Sequence, residues 1–311
     1  MNCAIGEPPQ PDPSEWRETE FHSARFDGLE SWGIDEIMLA LLGGQHQALN
    51  AVWAALPALE NAVEAARARL SKNNGRIIYV GAGTSGRLAL LDGIELTPTF
   101  GWPPERLVYL FAGGDAGQKH AQEGAEDDFA AGRTEILQNN VDTDDVVLAL
   151  AASGTTPYTR AAVKTARDAG ALTISFANNP GAPLLDDAEI GVLLRTGPEV
   201  LAGSTRLGAG TAQKVALNLF STCLMIGLNK VYRSHMVDMI ASNEKLLLRA
   251  ERMVMEITDC DLATARKALN ESDYHTKLAV LLVRGIKKQQ ALELLQRHEG
   301  NLAAALADQV K

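Results

Sequence analysis

The 311-residue chain has few cysteines, no surplus of basic residues and no long apolar run. Its three cysteines, Cys3, Cys223 and Cys260, lie far apart without metal-ligand spacing. An odd number leaves one unpaired, which favours a reducing compartment and a cytoplasmic location. Because 39 acidic residues stand against 29 basic ones, we expect neither nucleic acid nor an anionic membrane surface as a partner. No apolar run approaches transmembrane length, so we predict no membrane-spanning helix.

Proline is concentrated at the start of the chain. Four of the 12 prolines fall within the first 13 residues, and this composition predicts a flexible segment over residues 1–32. Apolar residues then recur at helical spacing from Gly33 to Leu70, and the pair Gly43 and Gly44 predicts a break between two helices. We assign this helical arm to the same domain as the segments that follow, over residues 33–258.

Short apolar runs alternate with longer helical segments along the middle of the chain. The predicted strands are Arg76–Val80, Leu107–Ala112, Val146–Ala151, Leu172–Phe176 and Ile190–Leu194. The predicted helices between and after them are Gly86–Leu96, Gln118–Gln138, Pro157–Ala169, Ala182–Ala188, Ala209–Tyr232 and Ser242–Ile257. This alternation predicts an α/β fold in three layers, with a central parallel five-stranded sheet covered by helices on both faces.

Beyond residue 258 the pattern changes to short helical segments. Asp261, Ser272 and Asn301 are residue types that commonly cap helices, and we predict that they cap helices here. We therefore predict a small helical C-terminal domain over residues 259–311.

A glycine-rich turn with two hydroxyls, GAGTSGR, follows the first predicted strand. Glycines let the backbone bend tightly and approach a ligand, while hydroxyls and the free N–H groups of a helix start can hold a phosphate. The candidate contacts are Gly83, Thr84, Ser85, Gly86 and Arg87. Dinucleotide sites use a related glycine pattern, and a plain structural turn would also fit. The two hydroxyls between the glycines favour a small phosphorylated ligand.

A second hydroxyl-rich loop, Ser153-Gly154-Thr155-Thr156, follows the third predicted strand. Taken alone, it is equally well an ordinary turn that caps the helix starting at Pro157. Ligands of parallel sheets bind beyond the carboxyl ends of the strands, and both loops fall there. The two loops together therefore predict a site that grips one phosphate from two sides.

Several longer blocks of the sequence resemble one group of sugar-phosphate enzymes. The turn GAGTSGR with the later LAASGTTPYT resembles sugar-isomerase (SIS) domains, which bind phosphosugars. Together with LAASGTTPYT, four longer blocks resemble the N-acetylmuramic acid 6-phosphate etherases: GAGTSGRLALLDGIELTPTFG, AGGDAGQKHAQEGAEDD, GPEVLAGSTRLGAGTAQK and MVDMIASNEKLLLRA. The resemblance spans Gly81 to about Ala250, and the C-terminal ALELLQRHEGNLAAAL is similar to the tail of that family.

The resemblance implies an SIS-type fold, a homodimer whose site draws on both chains, and a defined reaction. The family removes D-lactate from carbon 3 of an open-chain sugar phosphate and adds water. The product is N-acetylglucosamine 6-phosphate, in cell-wall sugar recycling. A base must take the proton from carbon 2, and an acid must protonate the departing ether oxygen. Neither a metal nor another cofactor is implied.

Two carboxylates match the catalytic positions of the family. By resemblance, Glu95 protonates the departing lactate and Glu126 is the second acid/base residue. Glu95 stands between Ile94 and Leu96, and we expect burial in this apolar setting to favour its protonated form. An exposed charge at a helix end is the alternative. Glu126 lies in the acidic run EGAEDD, and these residues alone favour an acidic helix face. The catalytic role of Glu126 is therefore assigned by the resemblance only.

The segment before the last long helix of the sheet domain adds further donors. Ser204 and Thr205 are candidate substrate contacts, and Arg206, Gln213 and Lys214 follow them. These side chains could reach the phosphate or the carboxylate of the lactyl group. A capped helix start with an exposed cation explains them nearly as well.

Two other functions stay open on the sequence. A non-catalytic phosphosugar sensor of the glucokinase-regulatory type shares the turn motif, although a sensor would not need both carboxylates. An aldose-ketose isomerase would use the same site without releasing lactate. The chain also departs from the etherase pattern at Thr155, where we expect an arginine, and at Gly93 and Ile94, where we expect alanine and serine.

Overall fold

The computed structural model describes residues 17–72, 75–120, 122, 124–241 and 243–308. The described chain begins with three short 3-10 helices, Glu18–Glu20, Ala24–Phe26 and Leu29–Ser31. Residues 17–32 of the segment predicted to be flexible therefore have defined turns, while Met1–Trp16 lie outside the described residues.

Five parallel strands form one sheet within the described chain. They are β1 (Ile77–Gly81), β2 (Leu107–Phe111), β3 (Val146–Leu150), β4 (Leu172–Ala177) and β5 (Ile190–Leu193). The order across the sheet is β2-β1-β3-β4-β5, so β1 and β3 are neighbours. The predicted parallel five-stranded sheet is confirmed, and the carboxyl ends of β1 and β3 meet at one edge.

Helices cover both faces of this sheet. One face packs against α1 (Ile34–Ala54), α2 (Leu56–Leu70), α3 (Gly83–Phe100) and α8 (Gly208–Gly227) in one hydrophobic cluster. The other face packs against α5 (Phe129–Gln138), α6 (Pro157–Asp168) and α7 (Pro183–Asp187). The short α4 (Gly114–Lys119) follows β2. The predicted three-layer α/β architecture is therefore confirmed.

The first helix runs without interruption through Gly43 and Gly44, so the predicted break there is wrong. Two glycines weaken a helix by about 1 kcal/mol each relative to alanine, but the buried residues Ala48, Ala51 and Val52 hold this helix against the sheet domain. The second glycine of the pair also has a packing role. A Cβ atom on Gly44 would lie 3.0 Å from Val200 Cγ2.

The helix predicted over Gln118–Gln138 is also wrong as a single element. The chain forms α4, a 3-10 turn at Ala125–Asp127 and then α5. Gly124 has φ +75°, which ends any continuous helix, and the Asp128 side chain accepts the Ala131 N–H at 2.8 Å and starts α5. Glu126 and Asp127 of the acidic run therefore lie on a turn and not on a helix face.

The C-terminal helices bury a hydrophobic cluster of their own. They are α9 (Glu244–Thr258), α10 (Leu262–Glu271), α11 (Thr276–Val283), α12 (Lys288–Arg297) and α13 (Leu302–Ala307). Asp261 and Asn301 cap α10 and α13 as predicted. Ser272 also caps a helix, at the C-terminal end of α10, where its buried hydroxyl donates to the Leu269 carbonyl. Among the described helices, none is long and apolar enough to cross a membrane.

Candidate active site

The turn between β1 and α3 is tight because glycines line it. A Cβ atom on Gly81 would lie 2.8 Å from the Gly86 Cα atom, and Gly83 has φ +53°. The first backbone bond of α3 runs from the Gly86 N–H to the Ala82 carbonyl, so the N–H groups before it have no acceptor within the helix. The Ser85 side chain is buried in this turn. The result is a positively polarised helix start of the kind that binds anions.

The second loop lies beside this turn because β3 is the neighbour of β1. The Ser153 Oγ atom accepts the Thr155 N–H at 3.2 Å, and Gly154 has φ +70°. The Thr156 side chain makes no capping bond at the start of α6, so its hydroxyl is not consumed by that helix. The loop thus forms a turn before α6 that leaves the Thr156 hydroxyl without a capping bond, and both predicted loops lie at the same edge of the sheet.

The start of α8 brings a third loop to the same edge. The buried Glu199 carboxylate accepts the Gly208 and Ala209 N–H groups, each at 2.8 Å, and caps α8. Burial raises the pKa of Glu199, and the two N–H donors oppose that rise. A Cβ atom on Gly210 would lie 3.5 Å from the Thr84 side chain. The half-buried Ser204 and Thr205, which come just before α8, therefore lie near the first turn of α3.

The guanidinium of Arg87 does not face the glycine-rich turn in this structure. Its Nε atom donates to the Gln118 carbonyl at 2.8 Å, and another nitrogen donates to the Gly117 carbonyl at 3.1 Å. The group also lies 5.7 Å from the centre of the Phe111 ring. Arg87 was predicted to contact the phosphate, but in this structure its guanidinium is bonded to carbonyls at the end of α4.

A different arginine, Arg17, reaches the second loop. It donates to the Ser153 carbonyl at 3.1 Å and to the Thr155 hydroxyl. Two residues later, the buried Thr19 N–H donates to the Asn179 side chain at 3.1 Å, which fixes the segment across the edge of the sheet. Sequence reasoning missed Arg17 because the loop that it contacts lies 136 residues further along the chain.

Glu126 lies at the first turn of α3. Its Oε1 atom is 3.0 Å from the position that a Cβ atom on Gly83 would occupy. The side chain is exposed. Among the acidic residues near it, Asp128 is used as the cap of α5. The structure thus brings one carboxylate of the acidic run to the glycine-rich turn.

Glu95 lies near the other end of the same helix. It comes twelve residues after Gly83, and a rise of about 1.5 Å per residue places it about 18 Å further along the axis. Glu95 and Ile94 are exposed, so the chain alone does not supply the burial that the sequence suggested. Glu95 borders a cavity of about 810 Å³ whose wall also includes Thr99, Ser221 and Arg233.

A buried carboxylate, Asp92, lies one helical turn before Glu95. It accepts hydrogen bonds from the Tyr79 hydroxyl at 2.9 Å, the Asn218 amide at 3.0 Å and the Ser221 hydroxyl at 3.0 Å. Burial raises the pKa of Asp92, and the three donors act against that rise. Burial also raises the pKa of Tyr79 well above its ordinary value, which keeps this hydroxyl protonated.

Packing explains why position 93 is a glycine, and the sequence alone did not show this. The rings of Tyr79 and Tyr109 stack with their centres 5.9 Å apart directly beneath it. A Cβ atom on Gly93 would lie 2.5 Å from the Tyr109 ring and 2.7 Å from the Tyr79 ring. The departure from the family pattern at this position therefore makes room for two aromatic rings.

Among the described residues, no three His, Cys, Asp or Glu side chains cluster as a metal site would require.

Comparison with known proteins identifies the family. A family model described as "Glucokinase regulatory protein N-terminal SIS domain" matches residues 59–167, and one described as "SIS domain" matches residues 130–223. Among solved structures, a phosphoheptose isomerase from Francisella tularensis matches with a TM-score of 0.42 at 19% identity, over 62% of this chain and 96% of that protein.

Curated relatives match over most of the chain. The N-acetylmuramic acid 6-phosphate etherase of Deinococcus radiodurans is 48% identical over 94% of this chain and 96% of its own length. The etherase of Halalkalibacterium halodurans is 43% identical over 93% of this chain and 97% of its own length. That of Erwinia tasmaniensis is 47% identical over 82% of this chain and 84% of its own length. The chain belongs to the N-acetylmuramic acid 6-phosphate etherase family, and it is built on an SIS fold.

Proposed function

We propose that this chain cleaves the D-lactyl ether of N-acetylmuramic acid 6-phosphate to give N-acetylglucosamine 6-phosphate and D-lactate. The single observation that carries this proposal is 48% identity to an etherase over 94% of the chain, with Glu95 and Glu126 both present at the matching motifs. The reaction is an elimination followed by a hydration. One water is consumed, and no oxidant or reductant is needed.

The phosphate binds at the edge of the sheet in this proposal. The first turn of α3 offers unpaired N–H groups, and Ser85, Ser153 and Thr156 bring hydroxyls to the same edge. Ser204 and Thr205 approach from the loop before α8. Support comes from the convergence of three loops on one polarised helix start, because a dianion needs several donors at once.

Glu126 is the base in this proposal. Its carboxylate lies at the turn that holds the phosphate, so a bound sugar would extend past it. It takes the proton from carbon 2, and the electron pair of that bond forms the double bond between carbons 2 and 3. The carbon 3–oxygen bond breaks as Glu95 transfers a proton to the departing lactyl oxygen. Water then adds across the double bond.

The positions of the two carboxylates within one chain argue against their acting on the same sugar. Carbons 2 and 3 are bonded neighbours, but Glu126 lies at Gly83 and the Glu95 backbone lies about 18 Å further along the axis of α3, a separation that is long for two glutamate side chains to bridge. We therefore propose that each site combines the phosphate loops and Glu126 of one chain with Glu95 of a second copy. A two-fold homodimer gives two such sites.

An exposed apolar face supports this pairing. On α1, the residues Ile34, Met38, Leu42, Leu49 and Trp53 lie on one side of the helix and are exposed. Near Glu95, Leu91 and Ile94 on α3 and Ile226 on α8 are also apolar, and each is about half exposed. Apolar surface of this extent marks an interaction site, and a second copy would bury Glu95 along with it.

The alternative functions are less favoured by the relatives, and one assay separates them. Purified protein is incubated with N-acetylmuramic acid 6-phosphate, and D-lactate is measured with time. A sensor binds the sugar phosphate without turnover, and an aldose-ketose isomerase rearranges it without lactate. We expect stoichiometric lactate, and its absence would reject the proposed function. The cysteine content favours a reducing compartment, and we propose that the reaction takes place in the cytoplasm.

The shared site has its own test. The inactive variants Glu95→Gln and Glu126→Gln are mixed, dissociated and re-paired. Half of the re-formed dimers then contain one chain of each variant. One of the two sites in each such heterodimer has both glutamates, so we expect about one quarter of the wild-type activity. Sites contained within one chain would give no recovery, which would rule out the shared arrangement. Re-pairing each variant with itself is the control.

A further inference from the structure

A second cavity, of about 170 Å³, lies between α3 and α8 and borders Glu95. The two helices run in the same direction, since Gly210 lies beside Thr84 and Asn218 lies beside Asp92. Asp92, Lys214 and Asn218 provide the polar part of the cavity wall. Leu88, Leu91 and Leu217 provide the apolar part.

A chain of hydrogen bonds fixes the polar wall. The Asp92 Oδ2 atom accepts the Tyr79 hydroxyl, and its Oδ1 atom accepts the Ser221 hydroxyl and the Asn218 amide N–H, all within 3.0 Å. Because the Asn218 amide nitrogen points to Asp92, its amide oxygen is turned outward, where it accepts the Lys214 ammonium. The buried carboxylate thereby sets the position of an exposed cation beside Glu95.

We propose that Lys214 and Asn218 form the subsite for the carboxylate of the D-lactyl group. This inference rests on the proposed function and names the part of the substrate that the α3–α8 face recognises. The lactyl group carries a carboxylate and a methyl group on the carbon next to the ether oxygen. An acid that reaches that oxygen must therefore lie beside the lactyl carboxylate.

The composition of the cavity matches these three groups. Lys214 provides the positive charge that a carboxylate requires, and without it the substrate anion would face the Asp92 carboxyl group without a counter-ion. The leucines provide a wall for the methyl group. Glu95 lines the same cavity and is therefore placed to protonate the ether oxygen. One chain thus holds the phosphate while its partner holds the lactyl end.

The first experiment measures binding without turnover. In a Glu95→Gln background, the affinities for N-acetylmuramic acid 6-phosphate and for N-acetylglucosamine 6-phosphate are measured by calorimetry, with and without Lys214→Met. We expect the added substitution to weaken binding of the lactyl ligand about 10- to 100-fold, as for loss of a charged hydrogen bond, and to leave the second ligand within about twofold. Lys267→Met, which removes an exposed lysine on α10, is the matched control.

Two outcomes overturn the subsite. Equal weakening for both ligands would place Lys214 at the phosphate, and no change for either would remove it from the site. Thermal unfolding of each variant checks that the fold is intact, and Lys214→Gln serves as a second variant. A wild-type protein that releases no lactate would instead reject the proposed function, whatever the binding results.

Re-pairing assigns Lys214 to one half of the site. Lys214→Met mixed with Glu126→Gln should recover about one quarter of wild-type activity, since one site of each mixed dimer keeps every group. Mixed with Glu95→Gln it should recover nothing, because both changes fall on the same half. The reverse pattern would contradict the subsite.

Asp92 is a positioning residue in this scheme, because it acts through Asn218. The substitution Asp92→Asn should raise the KM for the lactyl substrate severalfold while kcat changes less. In a Lys214→Met background the same substitution should have no further effect on KM. An undiminished effect there would mean that Asp92 acts on the fold alone.

Discussion

The Oε1 atom of Glu126 lies 3.0 Å from the position that a Cβ atom on Gly83 would occupy. A carboxylate that comes 43 positions later in the sequence is therefore brought to the first residue of α3. The left-handed backbone of Gly83, at φ +53°, is part of this arrangement, because no side chain intervenes between the helix start and the carboxylate.

Replacing Gly83 by alanine should damage catalysis more than stability. The left-handed conformation should cost about 1–2 kcal/mol in the free energy of unfolding, while the new methyl group displaces Glu126 and lowers kcat/KM for lactate release. Urea unfolding and the lactate assay measure the two effects. Gly285→Ala is the control, because Gly285 has φ +85° with open space around it. If both variants lose activity equally, the contact with Glu126 is unimportant.

Glu95→Gln should separate the two proton transfers. We expect lactate release to fall by roughly 10²–10⁴-fold, the usual contribution of a general acid, because the amide cannot protonate the ether oxygen. Exchange of the carbon 2 proton with deuterated water should survive better, since Glu126 performs it. Glu126→Gln should lose both. Normal lactate release by Glu95→Gln, or exchange by Glu126→Gln without elimination, would show that the roles are assigned wrongly.

The buried Asp92 predicts a pH dependence of stability. Its pKa is raised by burial above the ordinary value of 3.8, so between that value and the folded pKa the native chain binds more protons than the unfolded chain. The stability that this group contributes is therefore complete below about pH 3.8 and is lost as the pH rises through the folded pKa. Asp92→Asn lacks this titration.

The measurement is the free energy of unfolding of both proteins from pH 4 to pH 7. We expect the wild type to lose stability relative to Asp92→Asn as the pH rises. Tyr79 and Tyr109 face Asp92 with pKa values raised by burial, and neither titrates in this range. Parallel curves would show that burial does not perturb Asp92.

Arg17→Met should weaken the binding of any phosphorylated ligand. The guanidinium holds the Ser153 carbonyl and the Thr155 hydroxyl, and its loss should loosen the second loop. We expect the dissociation constant for N-acetylglucosamine 6-phosphate to rise by about tenfold, or ~1.4 kcal/mol. Arg25→Met is the control, since Arg25 lies over the Phe26 ring in the same segment. Unchanged affinity in Arg17→Met would limit Arg17 to a role in packing.

Trp53→Glu should prevent pairing. Trp53 is 78% exposed on α1, and a charge there would oppose burial of the apolar face. We expect a monomer by analytical ultracentrifugation, without lactate release, because no second chain supplies Glu95. Leu292→Glu changes an exposed leucine on α12 and should leave both properties intact. A fully active Trp53→Glu monomer would refute the shared site.

The local sequence was sufficient to predict the strands of the sheet, but it was insufficient to predict contacts between side chains that are far apart in the chain. The buried strands such as Val146–Leu150 are uniformly apolar, so their bounds were predicted to within about a residue. The shared position of the two hydroxyl-rich loops followed from the parallel connections, because parallel strands end at one edge. The path of the Arg17 segment could not be predicted, since nothing in its residues encodes a contact with Ser153.

The errors have physical causes in single positions. The run around Glu126 reads as one helix until Gly124 adopts a left-handed backbone and ends it. Gly43 and Gly44 suggested a break, yet the packing of α1 outweighs their weak helix preference. Arg87 was predicted to bind phosphate because it is a cation that follows the glycine-rich turn. Its guanidinium instead donates to carbonyl groups at the end of α4.

The stack of Tyr79 and Tyr109 against Gly93 restricts how this chain can evolve. A Cβ atom at position 93 would meet both rings, so alanine or serine becomes acceptable only after one tyrosine has been replaced by a smaller residue and the other ring has shifted into the space. Loss of Tyr79 would also remove a hydroxyl from Asp92. Replacement of Tyr109 is therefore the accessible first step, and the two positions are expected to change as a pair in descendants of this protein.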